Sequence, residues 1–329
     1  MQVKVRFVIR AAATAVAIAA ASLMGAAHIQ AAFPDGKPIT LLVPYGAGGT
    51  ADATARYLSK GLEKELKTSV QVVNKPGAAS QVAHVALMQA KPDGYTLSYS
   101  VLPTVATHYL DPERQAPYTR KNFQPVAWHW DTPQVIAVLT KSRFKTLKDL
   151  VEEARANPGT VTLSDPGLLS AGHLESLFLE KAAKVTIASV HFESGAQSVT
   201  ATLGGHVTAI AGGTSDAVAR VVSGDFRVLG IADEKRSEFL PDVPTMKSQG
   251  YDVIAVSGGG IIAPAGTPME VVTILTAAIK KVIETDEHKK DLDKYGGIAR
   301  HYMNPQEYEA FWIDTEKRME PVMKAVRGK

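Results

Sequence analysis

The first strong pattern along the chain is the apolar and β-branched run Ile39-Thr40-Leu41-Leu42-Val43, which ends in Pro44-Tyr45-Gly46-Ala47-Gly48-Gly49. It predicts a buried strand feeding a glycine-rich turn, with Thr50 or Asp52 capping the helix that follows. Leu58, Leu62 and Leu66 then fall on one stripe while Lys60, Glu63, Lys64 and Glu65 lie mostly elsewhere, the pattern of a surface helix packed on a sheet. Val70-Gln71-Val72-Val73 predicts a second strand, Asn74-Lys75-Pro76-Gly77 a turn, 80–90 a second helix and 95–99 a third strand. Strands and helices alternating at this spacing imply a parallel sheet with right-handed crossovers.

Pro112, Pro117 and Pro125 make 111–125 turn-rich, so a unit boundary is expected near 102–107. A second α/β set follows, with strands predicted at 134–139, 161–163, 187–192 and 207–210 and helices at 146–156, 172–182 and 196–203. Residues 226–232 and 253–263 read as strands leading back, followed by helices over 268–285 and 305–324. The first domain is therefore expected to be discontinuous, 32–102 with 230–329, and the second to span 103–229, with hinge passes near Leu102 and Leu229. One echo links the two: Gly48-Gly49-Thr50-Ala51-Asp52-Ala53-Thr54-Ala55-Arg56 recurs as Gly212-Gly213-Thr214-Ser215-Asp216-Ala217-Val218-Ala219-Arg220, seven of nine positions identical. Two helix N-termini facing one cleft would follow from it. Chance similarity of two helix caps is the alternative, since Gly and Asp are favoured there.

Composition narrows the class. Lys4, Arg6 and Arg10, then the alanine-rich run 11–27 and the small residues before Pro34, form the pattern of a secretory signal peptide over 1–31. Removing those three basic residues from 36 leaves 33 against 33 acidic residues, a formally neutral mature chain that argues against nucleic acid or an anionic membrane as partner. With Cys 0, thiol chemistry and metal–thiolate sites are excluded.

The motifs give no catalytic centre. Gly46-x-Gly48-x-x-Ala51 fits the dinucleotide pattern, but Asn74-Lys75 follows the second strand where an acidic ribose ligand is expected, and nicotinamide cofactors are cytoplasmic. No phosphate-binding P-loop motif and no Gly-x-Ser-x-Gly occurs. His129 between Trp128 and Trp130, and His173, have no partner at metal-ligand spacing, so packing or hydrogen-bonding roles and an aromatic strand edge are expected. The expectation is a protein with no cofactor, no metal and no enzymatic activity.

Pro44-Tyr45-Gly46-Ala47-Gly48-Gly49-x-x-Asp52-x-x-Ala55-Arg56, Asn74-Lys75-Pro76-Gly77-Ala78 and Lys91-Pro92-Asp93-Gly94-Tyr95-Thr96-Leu97 stand in order, followed by Ala156-Asn157-Pro158-Gly159, His173-Leu174, Leu203-Gly204-Gly205-His206-Val207 and Leu240-Pro241-Asp242-Val243-Pro244-Thr245. In these the chain resembles the Bug/TctC family, the periplasmic solute-binding proteins of tripartite tricarboxylate transporters. The resemblance implies an α/β fold of two lobes, each a mostly parallel sheet flanked by helices (type II-like), with a small carboxylate, a di- or tricarboxylate or an aromatic or amino-acid carboxylate, held in the interlobe cleft by backbone N–H groups, small side chains and waters. It implies a monomer that closes on its ligand and passes it to membrane subunits of the TctA/TctB kind. A sensor that presents its loaded form to a receptor, and an exported NADP-type oxidoreductase, are the alternatives. Candidate ligand-binding residues are Tyr45, Gly46, Ala47, Gly48, Gly49, Thr50 and Asp52 in the first loop, Ala78 and Thr104 beyond it, and Asp165, Ser170, His173, Glu193, Gly195, Gly212, Gly213 and Thr214 on the second wall. Asp165 stands where a serine is common in the family, Glu193-Ser194-Gly195 where Tyr-Lys-Gly is, and Gly212 where an aspartate is. Extra acid at 165 and 193 would disfavour a multi-anionic ligand unless those groups point away.

Overall fold

The apolar runs Ile39–Val43 and Thr96–Leu102 are buried along almost their whole length, whereas Val70–Asn74 alternates and leaves Val73 exposed. The computed structural model describes residues 33–327, with side chains to 324; the signal-peptide reading lies outside the described residues. Residues from Gly36 onward form one unit, and those before it, of which 33–35 are described, form another. In the large unit β1 (Ile39–Val43) pairs in parallel with β2 (Val70–Asn74) and β3 (Thr96–Leu102), α1 (Thr50–Leu66) and α2 (Gln81–Met88) connect them, and α3 (Thr104–Leu110) follows β3. β4 (Phe123–Leu139) follows, then α4 (Leu147–Ala156), β5 (Thr162–Asp165), α5 (Ala171–Ala183), β6 (Ala188–His191), α6 (Gly195–Leu203), β7 (Ala209–Gly213), α7 (Thr214–Val222) and β8 (Phe226–Ile231). The chain returns through β9 (Val256–Pro264), α8 (Met269–Ile283), α9 (Asp286–Tyr295), β10 (Ala299–Met303) and α10 (Pro305–Arg327).

The strand order β2-β1-β3-β9-β4-β7-β5-β6, with β8 and β10 also on β4, forms two α/β sheets that share one long strand. Along 123–133 β4 pairs with β9, and from Gln134 to Leu139 it pairs with β7 and β8. The outer strands are parallel, but every pairing of β4, and that of β3 with β9, is antiparallel. The sheets are therefore mixed rather than mostly parallel, because the strands that cross between them run against their neighbours.

Those pairings also move the crossing point away from Leu102. Residues 123–133, expected in the second unit, belong to the first sheet, where Phe123 and Trp128 pack with Leu42, Leu102 and Trp312. The passes between sheets lie at Pro133-Gln134 and beside Ala232 and Ala255, joined by bonds of 2.9 Å from Gln134 N–H to the Ala255 carbonyl and from Ala232 N–H to the Gln134 carbonyl. α10 spans the same division: Tyr308 and Trp312 pack in the first core, and Met319 and Met323 pack on Leu169 and Leu174 beside the second.

Candidate functional site

Four helices begin around one cleft. Gly49, Thr50 and Ala51 open α1, Ser170 and Ala171 open α5, Ser194 and Gly195 open α6, and Gly213, Ser215 and Asp216 open α7, and all of them line a cavity of about 60 Å³ between the two sheets. Sequence dictates each start: Gly48 has φ +87, a backbone state that L side chains avoid, and Ser170 and Ser194 accept N-cap bonds of 3.3 Å from His173 and Gln197. First-turn N–H groups have no partner inside their helix, and the dipoles make each start partially positive. Among the described residues no Lys, Arg or His lines this cavity.

The crossing strands supply the rest of the wall, through Val101, Trp130, Thr132, Gln134 and Ser257. The Trp130 indole N–H and the Thr104 hydroxyl are buried without a hydrogen-bond partner; the hydroxyls of Tyr99 and Tyr45 lie near them but outside bonding geometry. Burial pushes the Tyr45 phenol up in pKa, opposed by Thr104, Ser80 and Arg114. Unpartnered buried donors of this kind are costly unless a ligand or water satisfies them.

The two copies of the sequence echo meet here. The Thr50 hydroxyl is 2.6 Å from that of Ser215, across the cleft. A second interlobe bond of 3.4 Å runs from Gly46 N–H to the Glu193 carbonyl, and Arg114 donates to the Ala78 carbonyl at 3.1 Å and to the Leu168 carbonyl at 2.5 Å.

Of the candidates read from sequence, Tyr45, Gly49, Thr50, Thr104, Ser170, Gly195 and Gly213 line the cavity. The others do not. The N–H of Gly46 is taken by Glu193 and that of Gly48 by the Asp52 carboxylate at 3.0 Å, while Ala47 and Gly48 are exposed, so this stretch braces the loop. Ala78 and Glu193 face a separate open basin of about 570 Å³. Asp165 is fully buried and turned to His191 at 2.8 Å and to Gly167 N–H at 2.8 Å; burial raises its pKa against those two partners. His173 accepts at Nδ1 from Leu169 N–H at 2.9 Å, and burial lowers its pKa to about 3. Gly212 packs against Asp216, and the Thr214 hydroxyl bonds Thr132 at 2.9 Å and the Gly297 carbonyl at 2.7 Å. Trp130, Thr132, Gln134, Ser215, Asp216 and Ser257 also line the cavity and were not among the candidates; the echo held a signal for Ser215 and Asp216 and the aromatic run 128–130 one for Trp130, whereas the other strand residues carried none.

The helix cap also differs from expectation. Gly49 is the N-cap with no side-chain bond, and Asp52 instead reaches back to Gly48 N–H and accepts from Asn74 at 2.9 Å beside Arg56 at 2.8 Å. Burial works to raise its pKa, but Arg56, Gly48 N–H and Asn74 outweigh it and hold the carboxyl below its usual value. Asp52→Ala should cost about 1 kcal/mol, because it removes the carboxylate that accepts from the Asn74 amide and the Gly48 N–H. Urea denaturation measures this, and an unchanged midpoint would deny the loop its brace.

The family model described as the tripartite tricarboxylate transporter family receptor, TctC, matches residues 54–327. A protein of Cupriavidus necator, the UPF0065 protein in the gbd 5′ region, is 32% identical over 301 residues, covering 88% of each chain. Among solved structures, one described as a periplasmic transporter is 29% identical with a TM-score of 0.84, covering 89% of this chain and 98% of that one. The periplasmic binding protein BugD is 25% identical with a TM-score of 0.81, covering 88% and 97%. With a family match over most of its length and a two-lobed α/β fold around a cleft of helix N-termini, the chain belongs to the TctC family of tripartite tricarboxylate transporter receptors.

Proposed function

We propose that this chain is a periplasmic solute-binding receptor that captures a small carboxylate between its lobes as a monomer and hands it, unaltered, to the membrane subunits of a tripartite tricarboxylate-type transporter. The observation that carries the reading is the convergence of four helix N-termini on a cavity lined by hydroxyls, an unpartnered indole N–H and no basic side chain. Such a site meets an anion with fixed dipoles rather than a counter-charge, so it binds without the ordering cost of long basic side chains. The basic residues and alanine-rich run before Pro34 support export, and among the described residues no helix is long and apolar enough to cross a membrane. The two sheets would be the lobe cores, hinging at Pro133-Gln134 and at the Ala232–Ala255 pass, since only these strands and α10 bridge them.

Calorimetric titration with mono-, di- and tricarboxylates tests the ligand class; failure of every carboxylate to bind at millimolar concentration would sink it. Small-angle scattering tests closure. The Thr50–Ser215 and Gly46–Glu193 bonds belong to a closed cleft, so saturation with a binding carboxylate should lower the radius of gyration, and an unchanged value would argue for a rigid receptor.

A further inference from the structure

The crossing strands carry a second cavity on the face turned away from the cleft. Side chains alternate along a strand, so Val101 and Trp130 line the cleft while their neighbours Leu102 and Asp131 line a cavity of about 180 Å³ behind it. A register shift between Trp128 and Trp130 puts the two indoles on opposite faces: Trp130 lies across Gly259 on the cleft side, and Trp128 across Gly258 and Gly260 on the far side. Trp128 is pinned there by a bond of 2.8 Å from its indole N–H to Asp131 and by an edge-to-face contact with Phe311, ring centres 5.1 Å apart. Leu174 and Phe178 of α5 complete the wall, and the small residues Ala171, Ala255 and Gly258 leave the space between. At the mouth Val256 and His301 are exposed, and the charges are answered in pairs, His301 with Asp131 at 2.5 Å and Arg318 with Asp314 at 3.0 Å.

We propose that this cavity is a second ligand site, taking a small uncharged aromatic molecule with one hydroxyl, of the phenol class, and that the hinge senses its occupancy. Size sets the first limit: an apolar cavity of about 150 Å³ accepts benzene, so this one admits a single ring with a substituent. The walls set the second. Trp128, Phe178 and Phe311 offer ring edges and faces and Met319 a polarizable sulfur, which favour an aromatic guest over a saturated one. The rim sets the third, because its charges are already paired and a charged guest would enter an apolar space without a partner. A ring hydroxyl finds acceptors in the Asp131 carboxylate and in the Thr315 oxygen, whose own proton goes to the Phe311 carbonyl at 2.8 Å. The walls come from both lobes: Leu102 and Trp128 belong to the first core, and Ala255, at the pass between sheets, to the second, against which Phe178 packs. With the crossing strands as the axis, opening the cleft carries Leu174 and Phe178 toward Leu102 and Phe311, so an occupant favours the closed form. This coupling, though not the site, rests on the closure reading above.

The test uses phenol as the probe and the Trp128 indole N–H resonance of the isotope-labelled protein, assigned by its loss in Trp128→Phe, as the readout. Phenol should shift that resonance saturably, and cyclohexanol and benzoate should bind there at least threefold more weakly. Leu174→Phe fills the space from α5 and Met319→Phe from α10; each, checked for folding by circular dichroism, should weaken phenol at least tenfold. No saturable shift in wild type, or a shift that both filling variants leave intact, overturns the site, and cyclohexanol or benzoate binding as tightly as phenol overturns the class. Should neither variant fold, wild type alone decides through magnetisation transfer from the phenol ring protons to the Trp128 indole, whose absence would place phenol elsewhere. For the coupling, saturating phenol should tighten a cleft-binding carboxylate about fivefold in calorimetry, and the carboxylate should tighten phenol by the same factor. Unchanged or weaker carboxylate binding overturns the coupling and leaves the site standing. If no carboxylate binds, the carboxylate reading and the coupling fail together, while the Trp128 shift still decides the site.

Discussion

Gly259→Val is expected to destabilise the protein by about 3 kcal/mol and to abolish ligand binding in the fraction that still folds. Gly258, Gly259 and Gly260 stand in the middle of β9, and in the ladder Gly259 is opposite Trp130 and Gly260 opposite Trp128. Both indoles are buried across these glycines. A Cβ on Gly259 would lie 2.6 Å from Trp130 Nε1 and Cε2, and one on Gly260 would lie 2.6 Å from Tyr308 Cε1 and 2.8 Å from Trp128 Cε3. A branched side chain cannot enter without moving an indole, and Trp130 is one wall of the cavity between the sheets. The stability and binding losses are therefore coupled. Chemical denaturation measures the first and calorimetry with a binding carboxylate the second, with Gly259→Ala expected to show both in weaker form. A valine variant of wild-type stability would mean that the indole has space to retreat.

The same triplet shows where the sequence was legible and where it was not. Glycines inside an apolar run mark close approach of another group, so a strand over 253–263 could be expected, but which side chain fills the space depends on pairing between residues more than a hundred positions apart. The first half of β4, residues 123–133, was hidden for a related reason. Pro125 and Pro133 and the polar residues between them break the apolar run, and a proline argues against a central strand unless it sits at a register shift, as Pro125 does, or at the crossing between sheets, as Pro133 does. With residues 123–133 not read as strand, the boundary is expected about thirty residues before the crossing at Pro133-Gln134. The helices with clear caps were readable: Thr146 caps α4 and exchanges bonds with Asp149 as its sequence suggests. In the site, the helix-opening residues were visible as glycines and small hydroxyls after apolar runs. The strand residues Thr132, Gln134 and Ser257 were not, because nothing local distinguishes a strand residue that faces a cavity from one that faces a core. Asp165 and Glu193 illustrate the converse. As charges they attracted suspicion, and the fold turns the first to His191 and the second to an outer basin.

Acidification should destabilise the fold well above the pH at which ordinary carboxylates titrate. Five buried histidines are held neutral: burial lowers His84 and His288 to about 4 and His173 to about 3, and lowers His108 and His129 well below the usual value. Their contacts suit the neutral ring. His129 bonds the Tyr99 hydroxyl through Nδ1 at 2.6 Å and meets Nε2 of His288 through Nε2 at 2.8 Å, so the facing nitrogens hold one proton between them and a second would set two cations in contact. An unfolded chain protonates each near 6.5, so their contribution is complete above that pH and is lost as pH falls toward the native values. Asp165, Glu175 and Asp216 act in the opposite sense, because burial raises all three and the native state binds their protons first. With five histidines set against three carboxyls, the unfolded state binds the more protons over this range, so stability falls as the pH is lowered. Between pH 6.5 and pH 5 the thermal midpoint should therefore fall by several degrees. His84→Asn removes one of the five and should flatten the slope by about one proton. A midpoint that holds steady or rises over this range would show that the three carboxyls outweigh the histidines, or that the histidines reach water in the native state.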